Sequence, residues 1–226
     1  MEAFQMRPGR HIRKPAALEL KVMRLLAGVL LVMLLAAPAG ARTLLVMGDS
    51  LSAAYGLTAE QGWVNLLAER LDERQSGWSV VNASVSGETT AGGATRIAGE
   101  LRRHAPDVVA IQLGANDGLR GLPLEQARAN LATMIERVQS AGARVLLIGI
   151  RIPPNYGPEY ADAFHAMYFD LAQRYGTALL PFLLEPIATE RAAFMADNVH
   201  PNATAQQRLL EHVWPALAPL LGPHEG

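Results

Sequence analysis

Cysteine is absent from the 226 residues. Its absence excludes disulfide frameworks, thiolate zinc sites, iron–sulfur clusters and a cysteine nucleophile together, while leaving the redox compartment open. No internal repeat and no linker interrupts the chain, and no Gly-x-Ser-x-Gly elbow occurs in it, which argues against the α/β-hydrolase fold. A basic surplus is also missing. Twenty Lys and Arg stand against 21 Asp and Glu, and beyond residue 24 the balance is −5, so the body offers no electrostatic footprint for a phosphate backbone and nucleic-acid binding is not expected. What is plentiful is apolar material. At 50% of the residues it suits one ordinary core and excludes a disordered or collagen-like chain.

The first 24 residues carry +4, and behind them residues 25–37 form an uncharged run followed by Pro38 and the small triplet Ala39-Gly40-Ala41. A basic head, a short apolar stretch and an A-x-A site spell a signal peptide, expected over 1–41 and cleaved before Arg42. An uncleaved anchor is the alternative, although thirteen residues fall short of the ~20 that span a bilayer. Met23 is a second candidate start, and no cysteine at the junction offers a site for lipid attachment.

From residue 42 onward, short apolar runs alternate with stretches of helical periodicity, the signature of βαβ units around a parallel sheet. Five strands are read at 43–47, 79–82, 108–113, 145–150 and 178–182, each rich in Val, Ile or Leu. Between and after them, apolar residues recur at helical spacing, as in Trp63, Leu66, Leu67 and Leu71 or Leu209, Val213, Leu217 and Leu220. Right-handed crossovers then give a three-layer α/β/α sandwich over 42–226.

Ligands of such sheets bind beyond the carboxyl ends of the strands. Four segments there are unusual: Gly48-Asp49-Ser50-Leu51-Ser52, Asn82 to Thr89, Gly114-Ala115-Asn116-Asp117, and Asp197-Asn198-Val199-His200-Pro201-Asn202. Singly, each fits a helix cap or turn, and Asp197 with His200 lacks the third ligand a metal site needs. Together they complete a chemistry. A serine hydroxyl needs an imidazole to take its proton, and the imidazole needs an acceptor on its other nitrogen. Ser50, His200 and Asp197 supply these parts, with Asp197 and His200 close enough for one loop to present both. The backbone N–H groups of Ser50 and Gly87 and the Asn116 amide supply donors for an oxyanion. Gly87 suits a close approach because it has no Cβ.

These four blocks resemble those of the SGNH (GDSL) hydrolases. Within that family, Gly48-Asp49-Ser50-Leu51-Ser52, Pro153-Pro154-Asn155-Tyr156-Gly157 and Leu180-Pro181-Phe182 are similar to the bacterial multifunctional thioesterase I, lysophospholipase and arylesterase subfamily. The resemblance implies a flavodoxin-like fold and a periplasmic serine esterase using neither metal nor cofactor. By the same analogy Ser50 is the nucleophile, His200 the base, Asp197 its orienter, and Ser50, Gly87 and Asn116 the oxyanion hole. The expected substrate is a small acyl ester or thioester, and the expected form is a monomer without stable membrane anchoring. Two positions depart from the family pattern: Ala54 and Asn198 stand where Gly is usual. Asn tolerates a left-handed backbone better than most residues.

The loop after the fourth strand should overhang the site, and Ile152, Pro153 and Tyr156 are expected to line an acyl groove. Ser52, Ser84, Ser86 and Asp117 are read as turn or supporting groups. Trp63 is read as core, His104 as a cation at a helix end, and His165, His212 and His224 as uninvolved. Two rivals stand beside the esterase: a carbohydrate O-acetyl esterase, and a periplasmic lipid-binding protein with vestigial catalytic groups.

Overall fold

The structure, a computed structural model, describes residues 42–222. The expected signal peptide, 1–41, lies outside the described residues, as does His224. Five parallel strands, β1 (Arg42–Gly48), β2 (Trp78–Asn82), β3 (Val108–Gln112), β4 (Arg144–Ile148) and β5 (Ala178–Leu180), form one sheet in the order β2-β1-β3-β4-β5. β1 and β3 are buried along most or all of their length, as their unbroken apolar runs require when helices cover both faces.

The helices are α1 (Trp63–Glu73), α2 (Thr90–His104), α3 (Ala115–Leu119), α4 (Leu124–Ser140), α5 (Pro158–Tyr175) and α6 (Ala203–Leu221). Their periodic apolar residues face inward: Trp63, Leu67 and Leu71 on α1, Leu131 and Ile135 on α4, and Phe164 and Met167 on α5 are all fully buried. Leu66 and Leu220 are only partly covered. α6 runs through Pro215 and Pro219, both exposed, so the backbone bonds they forgo lie on the solvent side.

The strands differ from the expected spans mainly at their carboxyl ends. β5 stops at Leu180 rather than 182 because Pro181 has no N–H to donate. β4 stops at Ile148, and Gly149 instead joins a turn in which its N–H donates to the Leu180 carbonyl (2.8 Å) and its carbonyl accepts from Leu183 N (3.0 Å). A Cβ on Gly149 would lie 2.3 Å from the Pro181 oxygen, so no other residue fits this crossing unstrained.

At the amino end of the sheet, Arg42 places its guanidinium 4.8 Å from the Trp78 ring centre and donates to the Leu221 carbonyl at 3.2 Å. The Trp78 indole donates to the same carbonyl. The four segments singled out in the sequence all sit at the other end. Three follow β1, β2 and β3, where the strand order reverses and an open sheet forms its crevice.

Candidate active site

The segment after β1 turns sharply: Asp49 O accepts from Ser52 N (3.2 Å) and Ala53 N (2.9 Å), which lifts Ser50 to the rim. A buried polar set lies beneath it. Ser52 Oγ donates to Gln112 Oε1 at 2.6 Å, Gln112 Nε2 donates to Asp49 Oδ1 at 3.1 Å, and Leu51 N donates to the same oxygen at 3.0 Å. Asp49 Oδ2 has no partner among the described residues. Burial therefore pushes the Asp49 carboxyl up to about 6, despite the bonds from Leu51 and Gln112 that lower it. Gly48 closes the set, since a Cβ there would meet Ser52 Cβ at 2.7 Å and Gln112 Oε1 at 2.8 Å.

The chain carrying Asp197 and His200 is held by a bridge between Phe194 and Pro201 and by Met195 N donating to the His200 carbonyl at 2.8 Å. Asn202 then caps α6, its side chain accepting from Ala205 N. Inside this frame Asp197 Oδ2 lies 2.7 Å from His200 Nδ1, and His200 Nε2 lies 2.9 Å from Ser50 Oγ. A carboxylate only accepts, so Nδ1 carries the proton. In the neutral ring Nε2 is then the acceptor for the serine hydroxyl. Asp197 Oδ1 accepts from Val199 N (2.9 Å) and His200 N (3.0 Å). The ring's hydrogen bond, then those from the backbone, hold this carboxyl down to about 2, so it stays an anion wherever the imidazole is neutral.

Asn116 is the second residue of α3, which begins behind Gly114 at φ 124°. Its Nδ2 donates to the Glu88 carbonyl at 2.9 Å, leaving the second amide hydrogen uncommitted. The next residue, Asp117, is buried and takes Thr90 N at 2.9 Å and Thr90 Oγ1 at 2.6 Å, which ties the third loop to the start of α2. Glu88 is fixed in turn by Arg96, whose Nη2 also reaches the Ala83 carbonyl. Neither the Ser50 nor the Gly87 N–H has an acceptor among the described residues. Ser50 and Asn116 both line the cleft described next, whereas Gly87 is not among its lining residues and meets this region through the contact of its carbonyl with Arg120.

Ser50, Asn116 and His200 border a cleft of about 280 Å³ whose remaining wall is largely apolar, including Leu119, Ile150, Phe182, Leu184 and Phe194. Ile152 and Pro153 lie in that wall. Tyr156 does not: it ends a short 3-10 turn, Pro154–Tyr156, is 41% exposed and is absent from the lining. The alternation along this loop is the reason, since buried Ile150 and Ile152 aim inward and the chain turns outward after Pro153.

Several contributors were not singled out from the sequence. The Tyr55 ring lies 4.3 Å from the imidazole at 35° and shields one face of it while half exposed. Gln112 is the polar last residue of an otherwise apolar strand, the one signal that could have marked it. The residues left aside keep structural places. Trp63 is buried with its indole donating to Leu51 O, His104 pairs with Glu100, and His212 meets the Phe182 carbonyl at 3.0 Å. Among the described residues no group of three or more His, Asp or Glu could hold a metal ion.

Comparison with known proteins gives the same architecture and chemistry. Residues 46–208 match the model of the GDSL-like Lipase/Acylhydrolase family. The chain is 50% identical over 197 residues to Esterase TesA of Pseudomonas aeruginosa, covering 87% of this chain and 98% of that protein. It is 41% identical over 191 residues to Thioesterase 1/protease 1/lysophospholipase L1 of Escherichia coli, covering 84% and 90%. Among solved structures, the psychrotrophic esterase EstA from Pseudoalteromonas sp., inhibited by monoethylphosphonate, superposes with a TM-score of 0.77 at 38% identity, covering 80% of this chain and all of that one.

Proposed function

This chain belongs to the GDSL-like lipase/acylhydrolase family and is a serine esterase, and from that premise we propose how its own residues do the work. Ser50 attacks the carbonyl of an ester or thioester while His200 takes the hydroxyl proton. Asp197 holds the imidazole and balances the charge it gains. The carbonyl oxygen, now an anion, sits among Ser50 N–H, Gly87 N–H and the uncommitted hydrogen of Asn116 Nδ2. As the tetrahedral species collapses, His200 gives its proton to the departing alcohol or thiol and an acyl-Ser50 remains. Water, deprotonated by the same imidazole, then releases the acid and restores the serine. The observation that carries this reading is the unbroken relay from Asp197 through His200 to Ser50, with steps of 2.7 and 2.9 Å.

The apolar cleft supports an acyl chain as the bound half of the substrate, with Ile152 and Pro153 in its wall. Aryl esters, acyl-CoA thioesters and lysophospholipids are the proposed substrates. The 1–41 pattern supports export to the periplasm, and among the described residues no helix is long and apolar enough to cross a membrane. The test is a panel of acetyl, octanoyl and palmitoyl p-nitrophenyl esters, acyl-CoA, lysophospholipid and acetylated sugar, with Ser50→Ala as control. Activity on medium and long acyl groups, lost in the control and blocked by a fluorophosphonate on Ser50, is expected. Activity confined to acetylated sugars would replace this substrate assignment with the O-acetyl esterase. A native protein that binds acyl ligands without turnover would replace it with the lipid-binding reading.

A further inference from the structure

Arg120 follows Asn116 by one helical turn and is exposed. Its Nη2 donates to the Gly87 carbonyl at 3.1 Å and lies 3.5 Å from Asn116 Oδ1. No carboxylate pairs with it among the described residues. Among the described residues its guanidinium's hydrogen-bond contacts are thus with Gly87 and Asn116, the two residues from separate loops that the reaction proposed above uses as oxyanion donors. We propose that Arg120 is a positioning residue that clamps the oxyanion hole, fixing which way the Asn116 amide faces and how the Gly87 peptide is set.

The reason lies in the chemistry of a carboxamide. Its oxygen and nitrogen ends have nearly the same shape, so packing does little to stop it turning over, and only its hydrogen-bond partners choose the direction. Here Nδ2 meets the Glu88 carbonyl at 2.9 Å, a pure acceptor, and Oδ1 faces Arg120, a pure donor. Turned over, oxygen would oppose oxygen at Glu88 and N–H would oppose N–H at Arg120. The reversed amide would also offer a lone pair to the oxyanion in place of a hydrogen. Glu88 supplies the shorter of the two selecting contacts, at 2.9 Å, and Arg120 the second, at 3.5 Å.

Gly87 completes the clamp. At φ 80° it has no Cβ, and the atom nearest the place a Cβ would take is Arg120 Nη2 at 3.7 Å, so the guanidinium lies over the open glycine. A donor on the Gly87 carbonyl holds the Gly87–Glu88 peptide from its oxygen side, while Glu88 N–H donates to the Val85 carbonyl at 3.1 Å, so the Gly87 N–H, one peptide earlier, is steadied through the backbone of the residue itself. The two loops are thus joined at the rim by Arg120 as well as by the Asn116–Glu88 bond, in addition to the buried Asp117–Thr90 contact beneath.

The inference rests on the oxyanion reading above, and a double-mutant cycle separates the two. kcat and KM are measured on a p-nitrophenyl ester for the native enzyme, Arg120→Ala, Asn116→Ala, the double variant and Arg120→Lys, with thermal midpoints alongside. Arg120→Ala is expected to lower kcat roughly 5- to 20-fold with KM and midpoint near native, and Arg120→Lys to fall between. In the Asn116→Ala background the same change should alter kcat less than about 2-fold, because the group it orients is gone. An unchanged kcat in Arg120→Ala, or an equal loss in both backgrounds, overturns the clamp. Native kcat in Asn116→Ala overturns the oxyanion reading itself.

Discussion

Asn116 donates one amide hydrogen to the Glu88 carbonyl and, in the reaction proposed here, the other to the developing oxyanion. Removing the amide should therefore cost turnover rather than binding. Asn116→Ala is expected to lower kcat by about 10²- to 10³-fold with little change in KM, measured on the folded enzyme. A merely structural asparagine would show the reverse, a lower melting point with kcat intact. Near the site, two residues other than glycine adopt a left-handed backbone. Ala54 sits at φ 55° and Asn198 at φ 62°, both in the left-handed region, and both flank the catalytic residues. Asn accommodates this conformation and Ala does not. Ala54→Gly should raise stability by about 0.5–1 kcal/mol in urea unfolding, the relief of strain exceeding the added chain entropy. A loss of stability would mean that Ala54 is held by contacts worth more than its strain.

At the scale of elements, the crossing of Gly149 with the turn after β5 is the tightest backbone approach at the wall of the cleft. Gly149→Ala forces its methyl against the Pro181 carbonyl and the Tyr168 ring, so it should cost roughly 2–3 kcal/mol. The acyl wall at Ile150 and Ile152 should shift with it, and a changed acyl-length profile is the measurable sign. The sequence made the helices and the sheet legible because their apolar periods are strict: Leu131, Ile135 and Val138 on α4 are all buried. Ser50, Asp197 and His200, which the structure brings within hydrogen-bond reach, and Asn116, which lines the same cleft, were legible as candidates because each sits in a short motif of polar and small residues after a strand or in a polar loop. What escaped was set by contacts between distant segments. Nothing local reveals that Gln112 meets Ser52, that Tyr55 covers the imidazole, or that the chain bends away before Tyr156. Arg120 reads in sequence as an ordinary surface cation.

For the whole molecule, the two most displaced carboxyls of the site, Asp49 and Asp197, give stability opposite responses to pH. Asp49, pushed up to about 6 by burial, holds its proton more tightly folded than unfolded. Its contribution is complete below the ordinary carboxylate range and is lost as pH rises through about 6, a change of about 3 kcal/mol. Asp197, held down to about 2, contributes above the ordinary range and loses that contribution as pH falls toward 2. Its 41% exposure makes the second effect the smaller. Urea unfolding between pH 3.5 and 8 should show native stability falling from 4 to 6 relative to Asp49→Asn, and parallel curves for the two proteins would contradict the assignment.

The contact of Arg42 with Leu221 has a practical consequence. β1 runs about 20 Å from that clasp to the turn bearing Ser50. A resin or reporter coupled at residue 42 or 222 therefore attaches at the pole remote from the catalytic mouth, leaving the entrance directed toward the bulk liquid and unobstructed by whatever holds the enzyme.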